Sequence, residues 1–223
     1  MTLILWDIDG TLLSTGGAGR GALNRAFEEL HGVPDGFRDV HFGGRTDPGI
    51  VAQAFELAGL TLGPGDTERL LRHYLPLLEG SLARRVPVLK PGVPEILDAT
   101  APFGVNALLT GNWSEGARHK LSSVGLWERF EFGAFGDDSD DRNDLVFFAR
   151  RRAEERGHRV REVVVIGDTI SDVACARAGA AHAIAVETGW STREELFAAC
   201  PDLLLVDLCD PALLAYISGL AAK

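Results

Sequence analysis

Two aspartates, Asp7 and Asp9, stand one residue apart at the end of the apolar run "LILWDIDGTLL" (3–13). A strand buried on both faces has no structural use for carboxylates. Alternate strand residues share a side, so the pair can serve one reaction centre. One carboxylate can attack a phosphorus atom while its neighbour handles a proton. Other polar residues fall at the ends of other apolar runs. "LLTGN" places Thr110, Gly111 and Asn112 there; "GDTISD" places Asp168, with Asp172 one helical turn on; Arg142 opens the helical stretch after "EFGAFGD". Thr110, the backbone N–H groups that follow it, and Arg142 can hold phosphate oxygens. Asp168 adds the further carboxylate that a hard cation such as Mg²⁺ requires. A metal and a side-chain cation together can take up the charge that develops on a transferring group.

These residues need a scaffold that brings strand ends together. Six short runs have the length and the Val, Ile, Leu, Ala and Phe content of buried strands: 3–9, 105–111, 131–137, 163–168, 181–187 and 202–207. Helical spacing lies between most of them, in "EGARHKLSSVGL", in "LVFFARRRAEERG" up to Gly157, and in "SDVACARAGA" up to Gly179. This alternation predicts an α/β fold, a doubly wound, Rossmann-like parallel sheet covered on both faces. Ligands bind outside the carboxyl ends of such strands, where the polar residues above fall.

One stretch breaks the rhythm. Residues 14–89 carry helical patterns ("GALNRAFEELHG", "DPGIVAQAFELAGL", "TERLLRHYLPLLEGSLARR") and no convincing strand. The block is too large for an ordinary crossover. It predicts an all-helical cap at 14–89 inserted into a catalytic core of residues 1–13 and 90–223.

With "DIDGT" at 7–11, Thr110 in "LLTGN", a cation before or at a helix, and "GDTISD" at 167–172, the chain resembles the haloacid dehalogenase superfamily, specifically its phosphatases and among them the phosphoglycolate phosphatases. The cation is best matched by Arg142, with Lys120 its main rival. The likeness spans the whole core, and the helical insert is similar to the family's cap of the first type. It implies Asp7 as nucleophile and Asp9 as the acid that protonates a leaving alcohol and then activates water. It implies Mg²⁺ held by Asp7, the backbone carbonyl of Asp9 and Asp168, with Asp172 in support. Thr110 and Arg142 would stabilise the transferring phosphoryl group, and Gly10 would permit a tight turn beside it.

Neighbouring chemistries stay open to different degrees. The absence of Lys from 14–89 weighs against a Schiff-base phosphonate hydrolase, and Asp9 weighs against a dehalogenase. A sugar phosphomutase remains an alternative, although no His follows the first motif closely. A phospho-aspartate receiver domain would be shorter and would need a lysine near the fifth strand, which "AHAIAVETGW" does not offer. "GAGRGA" (17–22) formally fits a dinucleotide fingerprint but lies too far past its strand; a flexible entry into the cap is expected. "DDSDDRND" (137–144) fails as a calcium loop, having Arg142 at the fifth position counted from Asp138. Solvated acids and a helix cap are expected there. Arg20 and Arg45 are the candidates for substrate selection, and Asp47 is as fitted to helix capping as to substrate contact. The six histidines show no metal spacing.

Composition narrows the partners. Against 22 Lys plus Arg stand 32 acids, a formal net charge of −10, which opposes binding to nucleic acid or an anionic membrane surface. The basic run Arg150-Arg151-Arg152 is expected on a solvated helix face. Three scattered cysteines form no ligand set, and no membrane span or signal segment stands out. A soluble cytoplasmic protein acting on a small phosphorylated metabolite is expected.

Overall fold

The structure, a computed structural model, describes residues 1–222. In chain order the elements are β1 (Thr2–Trp6), β2 (Leu13–Ser14), α1 (Ala18–His31), α2 (Asp47–Leu57), α3 (Asp66–Arg84), β3 (Val88–Leu89), α4 (Val93–Thr100), β4 (Gly104–Leu109), α5 (Ser114–Ser122), β5 (Gly133–Ala134), α6 (Leu145–Glu155), β6 (Glu162–Gly167), α7 (Ile170–Ala178), β7 (His182–Val186), α8 (Arg193–Ala198), β8 (Leu203–Leu205) and α9 (Pro211–Ala221). Six strands form one parallel sheet in the order β5-β4-β1-β6-β7-β8. β1 lies at the centre, and the chain winds outward first on one side and then on the other. The crevice of such a sheet opens where the winding reverses, here between β1 and β6.

Period two sorts the residues of β1 to the two faces. Ile4 and Trp6 join Val164 and Ile166 of β6 in a core closed by α4, α5 and α9. Leu3 and Leu5 join Val163 and Val165 in a second core closed by α6 and α7. Both faces are dry, which is why every strand reads as a nearly continuous apolar run.

Helices α1, α2 and α3 bury a third core of their own, built on Phe27, Phe37, Phe55, Leu70 and Tyr74. Phe37 and Phe55 meet Phe27 edge-on at ring-centroid distances of 5.4 and 5.2 Å. The helical block leaves the sheet through β2 and returns through β3, which pair antiparallel as a two-residue ribbon. Two-residue strands are too short to produce an alternating pattern, so this pair escapes sequence reading. "GAGRGA" is not a flexible entry: α1 starts at Ala18, with Gly17 at φ 88° making the turn into it. Its glycines lie in or at the first turns of a helix that packs against α3. The Arg150–Arg152 run is only partly solvated, since Arg152 makes a forked pair with Asp138 (2.6 Å to each oxygen). Among the described residues no helix is long and apolar enough to cross a membrane.

Candidate active site

β1 ends at Trp6, and the chain turns immediately. The Asp7 N–H donates to the Ile166 carbonyl (3.0 Å), holding it against β6, and Gly10 takes φ 99° to complete the turn. A Cβ on Gly10 would lie 2.4 Å from Asp168 Oδ2, so this position has no room for a larger residue. The two acids of the motif therefore diverge. Asp7 points into a buried cluster with Asp168 and Asp172, and ligand oxygens of the three lie within 4.8 Å of one another. Asp9 joins a separate set of polar groups beside it.

Asp168 follows β6 and is fully buried. Thr11 Oγ1 donates to one of its oxygens (2.9 Å) and the Trp190 N–H to the other (2.7 Å). Asp172 sits in the first turn of α7, where Thr169 donates to it from its hydroxyl (2.7 Å) and its N–H (3.0 Å), a reciprocal cap. Arg142 begins a single 3-10 turn, Arg142–Asp144, whose N-cap is Asp141. Its guanidinium donates to Asp7 Oδ1 (2.9 Å) and to Asp172. Its Nε is buried and has no partner among the described residues.

Three buried carboxylates thus face one buried guanidinium. Burial pushes the Asp7 carboxyl well above the ordinary carboxylate range; Arg142 opposes this, while Asp172, Asp168 and Asp9 add to it. Burial and then Asp172 push Asp168 up to about 7. Burial works against the charge of Arg142, but Asp172 and Asp7 outweigh it, and its pKa rises. The set is short of positive charge and rich in oxygen donors. That is the donor chemistry a hard divalent cation satisfies, so these residues fit a metal ion.

The second set centres on Asp9. Lys120 of α5, nearly buried, donates to Asp9 Oδ2 (2.6 Å), and Asn112 Nδ2 donates to the same oxygen (2.8 Å). Asn112 also donates to Thr110 Oγ1 (2.7 Å) and accepts from Lys120. Of the two rival cations, Arg142 therefore meets Asp7 and Lys120 meets Asp9. A cavity of about 330 Å³ opens over both sets; Asp7, Asp9, Thr110, Lys120 and Arg142 line it from the sheet side, and Leu23, Phe42, Ile50 and Tyr74 from the helical block.

The remaining expected residues divide. Gly111 lines the cavity, and its carbonyl accepts from the Asp47 N–H (2.7 Å). A Cβ there would lie 2.0 Å from the Arg45 carbonyl oxygen, so glycine is what allows the two segments to touch. Arg20 lines the cavity but spends its guanidinium on the Phe37 and Arg38 carbonyls (3.0 Å each) and lies over the Phe42 ring. Arg45 lines it too, exposed, and pairs with Gln53. Asp47 does not cap its own helix through its side chain; Thr46 does, accepting from the Gly49 N–H (3.3 Å). The buried Asp47 carboxylate instead accepts the Trp113 N–H (2.8 Å) at the start of α5, and burial pushes its pKa up to about 6.

Sequence reasoning missed the groups that fix Asp168, namely Thr11 and the Trp190 N–H, and the contact of Lys120 with Asp9. The second was traceable. Lys120 shares the buried face of α5 with Gly116, Ala117 and Leu121, and a charge on an apolar stripe demands a partner.

The chain matches the family model described as haloacid dehalogenase-like hydrolase over residues 4–177. It is similar to phosphoglycolate phosphatase from Agrobacterium fabrum, 27% identical over 195 residues that cover 85% of this chain and 82% of the relative. Phosphoglycolate phosphatase from Rhodospirillum rubrum is 27% identical over 199 residues, 84% of this chain and 80% of the relative. Among solved structures, CbbY from Rhodobacter sphaeroides in complex with phosphate superposes with a TM-score of 0.72 at 22% identity, covering 93% of this chain and 95% of that one.

Proposed function

The chain belongs to the haloacid dehalogenase-like hydrolase family, and on that premise we propose that it is a Mg²⁺-dependent phosphatase of small phosphate monoesters, acting through an aspartyl-phosphate on Asp7. The observation that carries this reading is the division of the first motif. Asp7 lies in the buried carboxylate cluster beside Arg142, while Asp9 stands next to it in a different hydrogen-bonded set. Two identical side chains in two environments can take two roles.

In the first half-reaction an Asp7 carboxylate oxygen attacks phosphorus, and the bond to the leaving alcohol oxygen breaks. Asp9 gives that oxygen its proton. In the second, Asp9 takes a proton from water as the water oxygen attacks the same phosphorus, which returns Asp7 as a carboxylate and releases inorganic phosphate. Arg142 and Thr110 hold phosphoryl oxygens. Asp7, Asp168 and the Asp9 carbonyl would hold Mg²⁺, with Asp172 fixing Arg142. Bound there, the ion would keep these carboxylates ionised and draw charge from the phosphoryl oxygens. Residues 14–89 act as the cap that closes over the substrate and excludes water.

The phosphoglycolate phosphatases named above make phosphoglycolate the first substrate to try. The test is release of inorganic phosphate from a panel of small phosphate monoesters with Mg²⁺, repeated after chelation. Turnover on at least one ester, lost with chelator and restored by added Mg²⁺, is expected. Turnover indifferent to chelation contradicts the metal requirement, and no turnover on any ester contradicts the reading.

A further inference from the structure

Asp9 has two carboxylate oxygens in unequal positions. Oδ2 accepts from both Lys120 Nζ (2.6 Å) and Asn112 Nδ2 (2.8 Å), while Oδ1 accepts no side-chain hydrogen bond among the described residues. The orientation of the Asn112 amide is fixed by its neighbours: an ammonium only donates and so meets Oδ1 of the amide, and a carboxylate only accepts and so meets its Nδ2. Thr110 Oγ1 takes the other Nδ2 hydrogen (2.7 Å), tying the set to the end of β4. No group in this ring is free to turn alone.

Lys120 holds its place at a cost. Its side chain is 6% exposed, on the same face of α5 as Ala117 and Leu121, and a buried ammonium loses hydration that an apolar residue never had. Its partners there are Asp9 and Asn112. Arg142, not Lys120, makes the ion pairs with Asp7 and Asp172.

We propose that Lys120 is the positioning residue for Asp9. With Asn112 it pins Oδ2, so that the proton exchanged during the reaction is carried on Oδ1. An oxygen that already accepts two hydrogen bonds, one from an ammonium, is the worse place for that proton. The proton leaves Oδ1 for the leaving-group oxygen as the phosphorus–oxygen bond breaks, and Oδ1 takes the proton of the attacking water in the second half-reaction. This inference rests on the phosphatase reading above.

Leaving groups of different basicity separate a proton-handling role from a structural one. A 4-nitrophenolate leaves without being protonated, whereas an alkoxide needs the proton. The ratio of kcat/KM for an alkyl phosphate to that for 4-nitrophenyl phosphate is therefore measured in the parent, Lys120→Met and Lys120→Arg. Lys120→Met should lower this ratio by about 10²-fold, the low end of what general acid catalysis contributes, and Lys120→Arg should recover part of it. Equal loss on both esters, or no loss on either, overturns the proposal while leaving the phosphatase reading intact. A parent that hydrolyses neither ester overturns both.

Discussion

Asp7 and Asp9 carry identical side chains and differ only in their surroundings. Trp6 is the last residue of β1, so the strand's period no longer governs the pair, and the turn at Gly10 sends the two carboxylates to different neighbours. Sequence alone singles out both acids, Thr110 and Asp168 as polar residues at the ends of apolar runs, and Arg142 and Asp172 as the charges that follow such ends at the start of helical stretches. The apolar face around Lys120 shows that it needs a buried partner, but which acid each cation meets depends on how the turn at Gly10 aims the two carboxylates, and spacing does not record that. The division of roles predicts unequal metal binding. Asp168→Asn removes a carboxylate from the buried cluster, whereas Asp9→Asn leaves the backbone carbonyl in place. Calorimetric titration with Mg²⁺ should show Asp9→Asn within a few-fold of the parent and Asp168→Asn weakened by about 10-fold or more, the scale on which changes around a metal site act. Equal weakening in both variants contradicts the division.

At the scale of elements, the six sheet strands are legible because strands dry on both faces must be apolar throughout. The ends of "LVFFARRRAEERG" and "SDVACARAGA" are legible from glycine. α9 escapes because "PALLAYISGLA" is apolar on nearly all sides, which leaves no two-faced pattern to read. The junction of α2 with α5 escapes as well. Asp47 reads as an ordinary cap residue, yet its side chain reaches across to the Trp113 N–H, and its own N–H binds the Gly111 carbonyl. This contact has a pH signature. Because burial pushes folded Asp47 up to about 6, the folded state holds more protons than the unfolded chain between about pH 4 and pH 6. Asp47 therefore subtracts stability as pH rises through that window. Asp47→Asn keeps an acceptor for the Trp113 N–H and has no proton to lose. Urea unfolding should find it equal to the parent near pH 4 and more stable by on the order of 2 kcal/mol at pH 7. A difference that does not change with pH contradicts the assignment.

At the scale of the whole molecule, a helical block with its own core stands over the mouth of an α/β sheet, and the cavity of about 330 Å³ lies between them. The charge is unevenly shared. Residues 14–89 hold eight Arg and nine acids within a chain of net charge −10, so the sheet portion carries nearly all the excess. Such a surface does not draw anions from a distance. Selection falls to the cavity wall, where Arg20 is already committed to two carbonyls and Arg45 is exposed. A wall that encloses its substrate favours small esters. Hydrolysis of a folded phosphoprotein should be slower in kcat/KM than that of the best small ester by about 10²-fold or more, the cost of a misplaced reacting group. Comparable rates would contradict a closing cap.

The proposed reaction passes through a covalent phosphoryl group on Asp7. Its most direct measurement is to quench the enzyme during turnover, reduce it with borohydride, and sequence the N-terminal peptide by mass spectrometry. Reduction converts an aspartyl-phosphate to homoserine. Homoserine is expected at position 7, only when substrate and Mg²⁺ are both present, and none in Asp7→Asn. Homoserine at position 9, or sustained turnover with no modified carboxylate, would contradict it.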